Sequence, residues 1–267
     1  MALEVLEPVK AILAKVEAAT GKGFDLVEKP DLVQLAGVKM ARRGMPRHII
    51  RYRLTDMQVL NHSIAHECGH VLRMSSVTEE QRRVPITNQY TTAEAMIHIM
   101  PEAERIAAAL PRDAGPQLFN MLYEGLIRQL TNLPSDIAIE RWLCLDYPAL
   151  RDAQIASLRL QVRESEAGLD RKVRVMTPRL IYESCYTMNY AFFLLVGEAL
   201  GESLLGRYAG SPFRDGGLRL AELTRSRPLD TYMDEIAVVD AWAEHLGLAR
   251  WFEWTSFENV PQGYEAS

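Results

Sequence analysis

Residues 55–73 read TDMQVLNHSIAHECGHVLR, and the reading of this stretch governs the rest of the chain. Met57, Leu60, Ile64, Cys68 and Val71 recur at intervals of three and four, which is the apolar stripe of a helix packed on a core. Thr55 followed by Gln58 has the form of a capping box, and Leu54 and Val59 stand where a hydrophobic staple would close the first turn. Side chains four apart on a helix share a face. His62, His66 and His70 therefore form a ladder, with Glu67 beside its second rung. Three of the chain's 6 histidines fall within these nine positions.

The core of the ladder is His66-Glu67-Cys68-Gly69-His70. Two imidazoles one turn apart can share a tetrahedral Zn²⁺ at about 2.0–2.1 Å each. A glutamate next to the first histidine can reach the attacking water without taking a coordination position, as a general base must. Zinc is thus the expected cofactor, with His66 and His70 as ligands and Glu67 as the catalytic base. Cys68 falls on the apolar stripe and reads as a small buried hydrophobe. His62 is a candidate substrate-contacting neighbour, although a polar residue flanking a site is often only that.

Outward from this helix, Phe24–Val27, Val33–Met40 and His48–Leu54 are short and β-prone, separated by Pro30 and Gly44–Pro46. They predict a small N-terminal antiparallel sheet of about three strands. Before them, Val5, Leu6, Val9, Ile12, Leu13 and Val16 mark a helix that Gly21 and Gly23 stop. From Thr55 onward the periodicity is helical almost throughout, ending in a helix over 229–246 that Gly247 stops. Pro101 and Pro134 suit first-turn positions. The expected class is α+β, mostly helical, in a single domain over 1–267, with 206–217 as the only candidate boundary.

At this point the chain resembles the zincin metallopeptidases. The residues that carry the resemblance are His48-Ile-Ile-Arg-Tyr-Arg-Leu, read as an edge strand, followed by the HExxH helix. The resemblance covers about 30 residues and implies a zincin-like domain that hydrolyses peptide bonds. It departs from the metzincin branch, because Arg73 and Ser76 stand where that branch continues with glycine and a third histidine. It is closer to the gluzincin branch, whose third ligand is a glutamate on a downstream helix. The segment NLPSDIAIERWL (132–143) puts Asp136 and Glu140 on one helical face, in the reverse of the usual gluzincin order. Glu140 is preferred as third ligand for its longer reach, with Asp136 and then Glu94 as alternatives. Asp136 also suits a helix start through the macrodipole alone. One of Tyr182, Tyr186 and Tyr190, spaced four apart, would be the oxyanion stabiliser, although such a stripe is more often core.

Composition narrows the partners. With 48% hydrophobic residues, 24% charged residues and a net charge of -5, the chain has no global attraction to nucleic acid or anionic lipid. Its 3 cysteines are dispersed, which argues against a disulfide scaffold or a thiolate metal site and favours a reducing compartment. The N-terminus lacks the features of a secretion signal, and no apolar run reaches the roughly 18 residues of a membrane span. The expected setting is cytoplasmic, with a peptide or protein substrate, and processing of one specific partner is favoured over general digestion. Lys39, Arg42, Arg43, Arg47, His48, Arg51 and Arg53 make one basic patch without an intervening acid. On an edge strand, Arg51 and Arg53 would bind substrate by strand addition. The same patch supports the alternative class, a regulatory or binding module on a zincin scaffold that contacts nucleic acid or an acidic partner. A solvated strand face with gatekeeping charges accounts for it equally well.

Overall fold

The structure is a computed structural model that describes residues 3–42, 44–111 and 114–260. Most of these residues are helical, and the described part divides into two compact units. Unit 1 is drawn from 1–83, 138–160 and 256–267, and unit 2 from 84–137 and 161–255. The stretch 206–217 lies inside unit 2.

Unit 1 opens with α1 (Glu7–Thr20), whose buried residues Val9, Ile12 and Val16 follow helical spacing. It ends at Gly21, where a φ of 69° suits a residue without Cβ. Three strands follow: β1 (Phe24–Glu28), β2 (Ala36–Lys39) and β3 (His48–Tyr52). The sheet is mixed rather than antiparallel. β3 lies between β1 and β2, parallel to the first and antiparallel to the second. The 19 residues between Glu28 and His48 are long enough for the crossover that a parallel pair requires. β3 is therefore the central strand, and the edge-strand reading of His48–Leu54 is overturned: both of its backbone edges are already paired. His48, Ile50 and Tyr52 are buried at alternate positions, as a strand packed on a core demands.

The basic patch is partly consumed by the fold. Arg47 pairs with Asp25 at 2.6 Å and also donates to the carbonyl of Phe24. Arg42 donates to the carbonyl of Val260 and lies 5.0 Å from the ring centroid of Phe257. His48 is buried, accepts the Ala41 N–H at Nδ1 (3.0 Å) and meets the Thr20 hydroxyl through Nε2 (3.1 Å). Burial, and secondarily Lys22, depresses its pKa to about 4, so it is a neutral core histidine at neutral pH. Arg51 and Arg53 are half-buried in and just after the central strand. Arg43 lies outside the described residues.

The HExxH helix is α2 (Met57–Ser75). Its cap is Asp56 rather than Thr55: one carboxylate oxygen accepts the amides of Gln58 and Val59 at 2.9 and 3.3 Å. An ionised acceptor is favoured at that end by the macrodipole. Asn61, fully buried, anchors the helix to the chain start by accepting the Leu6 N–H and donating to the Glu4 carbonyl. Ile64, Cys68 and Val71 enter one core with α1 and the sheet, as the stripe predicts. Unit 1 is completed by the last turns of α4 (Ala114–Asp146) and the first turns of α5 (Arg151–Ala167).

Unit 2 contains a two-stranded sheet of β4 (Arg83–Ile86) and β5 (Glu253–Ser256), α3 (Gln89–Ala107), the first part of α4 and the remainder of α5. It continues through α6 (Arg171–Met176), α7 (Arg179–Leu200), α8 (Arg214–Arg225) and α9 (Tyr232–Leu246). Pro101 and Pro134 sit inside α3 and α4, not in first turns, so both helices continue past a missing amide. α9 ends at Gly247, as expected, with a φ of 73°. Its Trp242 is fully buried and donates to the Leu220 carbonyl and the Thr224 hydroxyl of α8. Among the described residues no helix is long and apolar enough to cross a membrane.

Candidate metal centre

The histidine ladder runs from the interior of unit 1 toward its surface. The His62 side chain is 1% exposed and that of His66 14%, while Glu67 and His70 are also half-buried. The His66 and His70 rings stand 5.0 Å apart at 73°, an edge-to-face pair one turn apart. His62 and His66 are 6.1 Å apart.

Glu140, on the portion of α4 that belongs to unit 1, meets this ladder from the side. Oε1 lies 2.8 Å from Nδ1 of His66, and Oε2 lies 3.1 Å from Nε2 of His62. Gln154 of α5 donates its amide to the same Oε2 at 2.5 Å and to the Glu140 main-chain carbonyl at 2.8 Å. The Glu140 side chain is 1% exposed. Burial alone would raise its pKa, but the charge of His62 and the hydrogen bonds from His62 and His66 outweigh it. The carboxyl is held well below the usual carboxylate range. An ionised carboxylate only accepts. His66 then donates from Nδ1, which in the neutral imidazole makes Nε2 the lone-pair nitrogen, and His62 donates from Nε2. The His62 Nδ1 is buried with no hydrogen-bond partner among the described residues.

Gly69 explains how Glu140 comes so close. A Cβ at Gly69 would fall 2.6 Å from Cγ2 and 2.9 Å from Cγ1 of Ile139, which is fully buried. Ile139 is β-branched and cannot swing aside. The glycine inside the motif therefore lets α4 approach α2 and sets the neighbouring Glu140 against His66. Gly69→Ala should destabilise the protein by about 1–2 kcal/mol, because overpacking outweighs the helix-propensity gain. Gly125→Ala, at an exposed α4 position with nothing within 4 Å, should stabilise it by up to about 1 kcal/mol. Chemical denaturation of the two variants checks the opposite signs.

His62, His66 and Glu140 bring ligand atoms within 4.8 Å of one another, so this buried group has the spacing to hold a metal ion. Asp136 stands one turn before Glu140 on α4. Glu94 is on α3 in unit 2, 3.9 Å from Arg250. Tyr182 and Tyr190 are buried in α7 of unit 2, and the Tyr182 and Tyr186 rings pack 4.5 Å apart at 51°, a core arrangement for the stripe. Cys68 is fully buried, and burial raises its thiol pKa far above the ordinary value, so it is no nucleophile. Gln154 has no sequence signal: a single amide on a helix acquires meaning only from what it touches.

The donor set suits a borderline metal ion, with imidazole nitrogens and carboxylate oxygens and no thiolate in the group. The fixed Nδ1–H of His66 is the outer hydrogen bond that metal-ligating histidines generally make. Comparison with protein-family models, with curated proteins and with solved structures finds no match to this chain.

Proposed function

We propose that the chain is a zinc-dependent peptidase of the zincin kind, with its reacting centre on the outer rungs of the ladder. The observation that supports this reading is the Glu140 carboxylate at Nδ1 of His66, which orients that imidazole and, in the neutral ring, makes Nε2 the nitrogen able to take a metal. Exposure points the same way. A substrate needs access, and the His62–Glu140 rung is sealed whereas His66, Glu67 and His70 are half-buried.

In this reading His66 and His70 bind zinc, and Glu140 orients His66 from behind while Gln154 and His62 hold Glu140. Both Glu140 oxygens are engaged by these donors, so Glu140 acts behind His66 rather than on the metal. Zinc held there supplies Lewis-acid polarisation of the scissile carbonyl and makes water a nucleophile near neutral pH. Glu67 takes the proton of the attacking water and delivers it to the leaving amine nitrogen. The substrate is a peptide or protein. The intact Glu67 favours this over a regulatory module on the same scaffold, which has no use for an acid at that position.

Metal analysis tests the reading. Protein purified from zinc-supplemented cells should carry about one zinc per chain, removable by chelation. His66→Ala and His70→Ala should each lose it while remaining folded by circular dichroism. Normal zinc content in both variants would overturn the assignment.

A further inference from the structure

Unit 2 carries a second feature that the peptidase reading does not use. Two adjoining cavities of about 390 and 700 Å³ share Arg171, Arg174, Tyr182 and Glu183 in their walls, and so form one elongated cleft. Arg105 lines the first and Arg207 the second. Five arginines, counting Arg179, face two glutamates, Glu102 and Glu183, which leaves three positive charges in a chain whose net charge is -5.

The pairing inside the cleft sharpens this excess. Arg179 is held by Glu183 at 2.8 Å, and the oxygen of Glu102 accepts its main-chain amide. Arg105, Arg171 and Arg174 have no carboxylate partner among the described residues. Arg207 donates its side chain to the Glu166 main-chain carbonyl at 3.3 Å, and the Glu166 carboxylate accepts its main-chain amide at 2.5 Å. Arg171 and Arg174 stand three apart on α6, every residue of which from 171 to 175 is exposed, and Val173 and Val175 are exposed there as well. The floor is apolar, from Tyr182 and Phe213, whose rings pack at 5.7 Å.

Guanidinium groups along the rim complement the regularly spaced phosphates of a nucleic-acid strand. The cleft is elongated and open, which suits a chain passing across it better than an enclosed small ligand. We propose that this cleft of unit 2 binds single-stranded nucleic acid through its phosphates, with Arg171 and Arg174 as the central contacts. Binding is independent of base identity, because guanidinium–phosphate contacts carry no sequence information.

The probe is a fluorescently labelled oligothymidylate of about twenty nucleotides, read by anisotropy on the full chain at several salt concentrations. The Arg171→Glu/Arg174→Glu double variant should bind at least about tenfold more weakly. Its salt slope should shrink by about 1.4, two contacts at roughly 0.7 each for a single strand. Arg250→Glu, at an exposed position outside the cleft, should bind as wild type, and thermal unfolding of both variants should match wild type. The proposal is overturned if wild type fails to bind the oligonucleotide or if the double variant binds it equally well. It is also overturned if polyglutamate displaces the oligonucleotide at an equal charge concentration.

Discussion

Glu67→Gln should keep its zinc and lose peptide hydrolysis by roughly two to four orders of magnitude in kcat, the range that a positioned general base contributes. The substitution is close to isosteric, and glutamine has nearly the helix propensity of glutamate, so α2 should form unchanged. The core side of the helix is untouched, because Ile64, Cys68 and Val71 make its buried contacts and Glu67 is half-buried on the ladder side. What changes is one proton acceptor: the amide cannot take the proton of the attacking water or return it to the leaving nitrogen. Metal content and turnover of a mixture of fluorescence-quenched peptides, measured on the same preparation, separate binding from chemistry. Zinc retained with activity lost is the expected pair. Full activity in Glu67→Gln would remove the base from the mechanism, and a module without catalysis would show no turnover in either protein.

How much of this was legible beforehand depends on how local the signal is. The helix α2 could be read because period, cap residues and stripe all lie within about twenty positions and agree with one another. Even there the cap shifted from Thr55 to Asp56, since an aspartate carboxylate competes well with a hydroxyl for the same amides. Gly21 and Gly247 stop their helices as expected because a left-handed φ is a property of one residue. The sheet could not be read in the same way. Alternation shows that His48, Ile50 and Tyr52 share a buried face, but which strands lie on either side is decided by partners 12 to 24 residues away. A central strand and an edge strand with basic side chains look alike in one dimension. The same limit hid the partners of Glu140. Its i,i+4 relation to Asp136 is visible in the spacing, whereas its contact with His66 spans 74 positions and depends on the absence of a side chain at Gly69.

That contact leads to the prediction that separates two roles for Glu140. Glu140→Gln should retain zinc with affinity lowered about 10–100-fold, the usual cost of removing a carboxylate behind a ligating histidine. This outcome follows from the hydrogen bonds of Glu140. Its oxygens already accept from His66 Nδ1, His62 Nε2 and the Gln154 amide, so coordination by Glu140 would have to break at least one charge-assisted bond in a sealed environment. In Glu140→Gln the amide still offers one oxygen, but its NH₂ faces a donor. His66 is then less firmly oriented and some stability is lost, on the order of 1–3 kcal/mol for a mismatched buried polar group. Zinc titration with a competing chelator, alongside denaturant unfolding of the metal-depleted proteins, resolves the two effects. Complete loss of zinc in Glu140→Gln would make Glu140 the ligand. The buried group of His62, His66 and Glu140 would then be the metal centre itself, and the open rung at His70 would need another role.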